Sequence, residues 1–188
     1  MSLIFLIHEF FKMKKYFIAN FLVVLSLTCT QNLFAKDLCN LDETIGLSVF
    51  HKNDYKFYNY VCDSDEGGYF KSYLGNQKDK IFLGEYSDMV TKESPRLLAV
   101  SIYRSKKEKP LLITINSSYY CCTPQIEGNM YKINFYQIIL DKEISLKNVT
   151  NIFGQNAEGF EGQTEGRVFY HYKTVAEIKK WLDKNYHE

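Results

Sequence analysis

From Ile45 to Asp141 the chain alternates apolar and polar positions in short runs separated by turn residues. Successive side chains of a strand point to opposite faces, so a period of two predicts half-buried strands. The expected strands are 45–51, 55–62, 69–74, 81–86, 97–103, 111–120 and 131–140. In the second, Tyr55, Phe57, Asn59 and Val61 share one face, while Tyr58, Tyr60 and Cys62 share the other. Lys52-Asn53-Asp54, Asp63–Gly68, Gly75–Asp79, Ser105–Lys109 and Pro124–Asn129 supply the breaks. Tyr, Phe, Ile and Val dominate the runs, as a pleated, half-buried surface requires. Strands that follow one another through short turns predict an antiparallel meander.

Near the C-terminus the period changes. Leu146, Val149 and Ile152/Phe153 recur at helical spacing behind Ser145, which predicts a short capped helix over 146–153 ending at Gly154. Thr174 and Glu177 have the spacing of a capping box. They precede a stripe of Val175, Ile178, Trp181 and Leu182, so a second helix is expected over 175–185, with Trp181 against the sheet. A Gly/Glu-rich loop, 154–166, and a strand, 167–172, fill the interval. The fold class expected is α+β: a mostly antiparallel β-sheet meander with a C-terminal helix–strand–helix unit, stapled by disulfides. The decapeptide Ser145–Gly154 resembles the helix-then-glycine element of small outer-membrane assembly lipoproteins and β-lactamase-inhibitor-type domains. The rest of the chain does not follow that pattern, and the resemblance assigns no family.

The N-terminal segment reads as an address. Lys12, Lys14 and Lys15 precede an apolar run from Tyr16 to Cys29, and Ala35 has the size a cleavage site needs. A signal peptide is therefore expected over 1–35, with Met13 the more ordinary start, followed by one domain over 36–188. A retained membrane anchor is the alternative, which the interrupting lysines disfavour. Thr28 before Cys29 makes a poor lipobox. Removal of Lys12, Lys14, Lys15 and Glu9 turns the formal charge of +1 into −1, which gives no long-range attraction to nucleic acid or anionic lipid.

Processing leaves Cys39, Cys62, Cys121 and Cys122, an even count that favours disulfides in an exported chain. A bond between the adjacent Cys121 and Cys122 requires a strained ring and is the least expected pairing. Those two are instead expected to tie down Cys39 and Cys62. A Cys121–Cys122 redox switch is the functional alternative.

Composition excludes disorder: 46% of residues are hydrophobic and 24% charged. The catalytic motifs G-x-S-x-G, H-E-x-x-H, G-x-G-x-x-G and the P-loop are absent from the sequence. His51, His171 and His187 remain after processing, and His171, between Tyr170 and Tyr172, is the one candidate general base. The 154–166 loop carries Glu158, Glu161 and Glu165 around Phe160, an apolar anchor with acidic flanks suited to docking in a protein partner. Solvated connection and calcium or acid–base site are the competing readings, and the glutamate spacing is not that of an EF-hand. Lys106, Lys107 and Lys109 form a basic hairpin tip. Asn116-Ser-Ser118 and Asn148-Val-Thr150 match the N-glycosylation pattern.

No cofactor or metal is expected. The function expected is that of an exported, non-enzymatic binding protein in the periplasm or secreted, with a protein partner. An immunity-type inhibitor of an envelope-active toxin or hydrolase is the leading form. The alternatives are a cell-envelope accessory factor binding protein or glycan through an aromatic sheet face, and a small hydrolase using His171.

Overall fold

The computed structural model describes residues 38–47, 55–65, 67–87, 93–105, 109–123, 126–141 and 143–187, without the side chains of 122 and 123. The expected signal segment, His51 and the Lys106–Lys107 tip lie outside these residues, as does the side chain of Cys122.

Strands β1 (Leu38–Gly46), β2 (Lys56–Ser64), β3 (Gly67–Gly75) and β4 (Lys80–Ser87) form a four-stranded antiparallel sheet in chain order. A second meander follows: β5 (Arg96–Tyr103), β6 (Leu111–Thr123) and β7 (Ile126–Leu140). β7 is long enough to carry two further strands on its remaining edge. Its C-terminal part pairs with β8 (Ile144–Asn148) and its N-terminal part with β9 (Glu158–Gln163). Between them the chain leaves the edge as a 3₁₀ segment, Thr150–Ala157. Val149 N–H donates to Phe135 O and Phe135 N–H to Thr150 Oγ1, so the edge of β7 stays bonded across the gap. β10 (Arg167–Val168) pairs with β9, and α1 (Val175–Asn185) ends the fold.

Alternation along β6 and β7 builds two cores from one pair of strands. On one face Leu111, Ile113, Ile115, Ile133 and Phe135 pack beneath Ile178, Leu182 and Tyr186 of the helical end. Phe153 fixes this core, its ring lying 5.1 Å from Phe135, 4.9 Å from Tyr172 and 4.7 Å from Trp181. On the other face Leu112, Tyr136 and Ile138 meet Phe57 and Leu74 of the first sheet. The layers are therefore sheet, sheet, helix. Burying Ile178 and Leu182 alone is worth about 1.5–3 kcal/mol each.

The sheet-dominated α+β class and the last helix match expectation. Thr174 Oγ1 accepts from Glu177 N–H at 3.3 Å and Glu177 Oε2 accepts from Thr174 N–H at 3.1 Å, completing the capping box. Three expectations are corrected. The helix over 146–153 is instead β8 followed by the 3₁₀ segment, so Ser145 caps nothing and sits opposite Ile139. Ile144 and Leu146 alternate as well as they stagger, and the open edge of β7 decides for the strand. The strand over 167–172 stops at Val168, after which Tyr170 and Tyr172 turn onto the helix-side core.

The third correction concerns the staples. Cys39 and Cys62 face one another in register across β1 and β2 and are bonded to each other, not to Cys121 or Cys122. The bridge anchors an exposed strand too polar to announce itself, and closes a separation of 23 residues, worth about 3 kcal/mol by chain entropy. Cys121 is disulfide-bonded as well.

Candidate functional site

The 154–166 segment was expected to loop free, but most of it is built into the sheet. Glu158 to Gln163 pair with Lys132 to Glu127 of β7, and only 164–166 form a turn. Gly128 and Gly162 face one another in this pairing, and the ring of Phe160 lies over them where side chains would otherwise stand. Two glycines thus let the strands approach, and a half-buried phenylalanine covers them. Gly159 gives the same clearance to the ring of Tyr170.

Alternation separates the four residues singled out in this segment. Glu158 and Phe160 share the face of Lys132 and Met130, and Glu158 pairs with Lys132 at 3.0 Å. Glu161 lies on the helix side beside Asn129, where it holds Lys173 at 2.6 Å. That bond raises the Lys173 pKa above its ordinary value. Glu165 is exposed in the turn. The structure therefore brings Glu158 with Phe160 and sets Glu161 and Glu165 apart. Among the described residues no three His, Cys, Asp or Glu groups cluster to hold a metal ion.

On the helix side the sheet extends past the end of the helical cover. A groove of about 350 Å³ remains there, with Leu98, Tyr119 and Tyr131 as its aliphatic and aromatic side chains. Arg96 and Glu93 pair at 2.8 Å on one wall, and Tyr119 Oη donates to Glu127 Oε1 at 3.0 Å. That hydrogen bond raises the Tyr119 pKa, and burial followed by the Glu161 carboxylate raises that of Tyr131. Glu161 thus acts on the groove through Tyr131, although it was singled out for a different geometry.

His171 lacks the enclosed setting a general base would use. Tyr170 and Tyr172 turn inward on either side of it, and its own side chain is exposed at the bend. Tyr170 Oη donates to the carbonyl of Asn156, and burial, then Tyr172 and Glu158, push its pKa well up. His187 is exposed beside the C-terminus, near Lys184 O.

A second concavity, which the sequence reading did not isolate, opens between the two sheets. Its volume is about 290 Å³. Leu112, Thr114, Asn116 and Ser118 alternate along the face of β6 toward the first sheet, passing from apolar to polar. The polar end forms bonds with its surroundings: Ser118 Oγ to Tyr86 Oη at 3.0 Å and Asn134 Nδ2 to Thr114 Oγ1 at 3.3 Å. Opposite, Ser72 Oγ donates to Asn59 Oδ1 at 3.1 Å. Asn116 is only 3% exposed, which removes it as a glycosylation acceptor, and its Oδ1 has no hydrogen-bond partner. The available signal was a polar face on a long, otherwise aliphatic strand. No protein-family model, no curated protein and no solved structure matches the chain.

Proposed function

We propose that the chain is an exported, non-enzymatic binding protein of the immunity or inhibitor type, acting in the periplasm on an envelope-active toxin or hydrolase. The observation that carries this reading is the helix-side groove. Leu98, Tyr119 and Tyr131 offer aromatic and aliphatic surface for an anchor, and paired charges surround it, the usual anatomy of a protein interface. Glu93 and Arg96 line it as a pair. Glu127 and Glu161 act on its Tyr119 and Tyr131 from outside the lining against one further cation, Lys173, so the partner surface it favours is basic. The Cys39–Cys62 bond supports an oxidising compartment. No helix among the described residues is long and apolar enough to cross a membrane.

The test is affinity capture from envelope and secreted protein with the oxidised chain, run beside Tyr119→Ala and Tyr131→Ala. The reading requires one stoichiometric partner whose toxin or hydrolase activity falls on binding, and whose retention drops in both variants. Capture that is indifferent to both substitutions would remove the groove from consideration.

A second reading rests on the outer face of the first sheet. Tyr60 and Tyr73 stack edge to face at 5.6 Å, Tyr73 and Phe82 lie 5.3 Å apart, and Phe82 is 54% exposed. Lys80 Nζ stands 4.4 Å above the Tyr58 ring. Such a face suits an envelope accessory factor that grips a protein or glycan. Partner retention lost in Phe82→Ser and kept in Tyr119→Ala would favour it over the groove.

A further inference from the structure

We infer that the cleft between the two sheets is a binding site for a small, neutral, hydroxyl-rich molecule of monosaccharide size. It lies on the opposite face of the central strands from the groove and does not depend on the groove's role.

A buried carbonyl without a hydrogen-bond partner is costly and uncommon in a folded protein. Asn116 Oδ1 is such a group, and its residue belongs to the cleft wall, with the oxygen itself closed to solvent. The rest of the wall has the same character. Thr114, Asn134 and Ser72 line the cleft with short neutral groups that both donate and accept. Hydroxyls suit this wall, because each can donate to one of its short polar groups and accept from a neighbouring hydroxyl or amide.

The charges on the wall are balanced, which favours a neutral ligand. Lys132 and Glu85 are the ionisable Lys and Glu side chains on the cleft wall. Lys132 is held by Glu158 at 3.0 Å and Glu85 by Lys71 at 3.8 Å, each neutralised by a partner outside the cleft. Phe70, Tyr86 and Tyr136 supply rings on which the C–H face of a sugar can rest.

Size is set from both sheets. Gly84 stands opposite Ser72 in the first sheet, and a side chain there would grow toward Tyr136 Oη, 3.7 Å from the position of its Cβ. The absent side chain therefore keeps the cleft open. At about 290 Å³ the space is at the lower end of ligand pockets, which span about 300–1,000 Å³, and accepts a sugar unit rather than a polymer. At the other end Leu112 packs with Phe57 and Leu74 and closes the interface.

The test is thermal stability and titration calorimetry of the full oxidised chain with hexoses, N-acetylhexosamines and simple polyols. Inorganic phosphate and glutamate serve as charged probes. A neutral probe is expected to bind one to one and raise the Tm by mass action. Asn116→Leu should weaken it at least about tenfold, the worth of one good buried hydrogen bond. Gly84→Val, which fills the cleft from the facing sheet, should abolish binding, whereas Tyr119→Ala on the other face should leave it unchanged. Absence of any shift with the neutral probes overturns the proposal, as does stabilisation by the charged probes alone. Saccharide binding that survives both Asn116→Leu and Gly84→Val overturns the site.

Discussion

Strands β6 and β7 bury both of their faces, but by different means. On the helix side, Leu111, Ile113, Ile115, Ile133 and Phe135 are essentially inaccessible and meet hydrocarbon. On the sheet side, Leu112 gives way to Thr114, Asn116 and Ser118, equally inaccessible but polar. The helix-side exceptions, Gln137 and Ser117, donate to Tyr186 Oη at 3.3 Å and to Asn129 Oδ1 at 3.4 Å, whereas Asn116 Oδ1 has no partner. Dense apolar packing gives a face its rigidity. A buried polar face with a gap in its hydrogen bonding and space in front of it has the features of a site. Equal burial on the two faces thus serves support on one and recognition on the other.

The largest test of this contrast compares two phenylalanines. Phe153→Ala should cost about 3–5 kcal/mol in chemical denaturation, because Phe135, Tyr172 and Trp181 cannot close the hole. Phe70→Ala should cost less, since its void would join a cleft already open to water. Equal losses would mean that the cleft is packed as tightly as the helix side.

Most strands and the last helix were legible because each has one dominant local signal. Alternation from Tyr55 to Cys62 and the Thr174–Glu177 box needed no tertiary context. β9 could not be read that way: Glu-Gly-Phe-Glu-Gly-Gln has poor strand propensity and pairs only because β7 offers an edge and Gly128 lets it approach. The capped helix failed because 144–153 satisfies two periods at once. The cleft was missed for a related reason. Polar alternation on β6 reads as a solvent face, and nothing local reveals that a second sheet covers it.

A polar-to-apolar exchange sharpens the contrast at smaller magnitude. Ile113→Thr should cost about 1–3 kcal/mol, since the hydroxyl enters hydrocarbon without a partner. Asn116→Leu should instead stabilise the chain by about 1 kcal/mol, because the unpartnered carbonyl disappears at similar volume. Urea midpoints at constant slope distinguish the two. Destabilisation by Asn116→Leu would show that this amide already supports the fold.

The smallest effect expected is alkaline, and again sets one face against the other. Tyr170, on the helix side, and Tyr136, in the cleft, both have a folded pKa raised above 10.0, chiefly by burial, and Tyr170 by more. A raised folded value means that the native chain keeps a proton the unfolded chain releases. Stability from these groups is therefore intact below the unfolded value and falls as pH climbs from there toward the folded values. Tyr170→Phe removes one such proton and should flatten the alkaline limb of stability against pH, even though the bond to Asn156 O is lost at every pH. Tyr136→Phe, which loses the bond to Leu83 O, should flatten it less. Denaturation series across the alkaline range measure both slopes. The reverse ranking would show that Tyr172 and Glu158 add less to the shift of Tyr170 than burial alone adds at Tyr136.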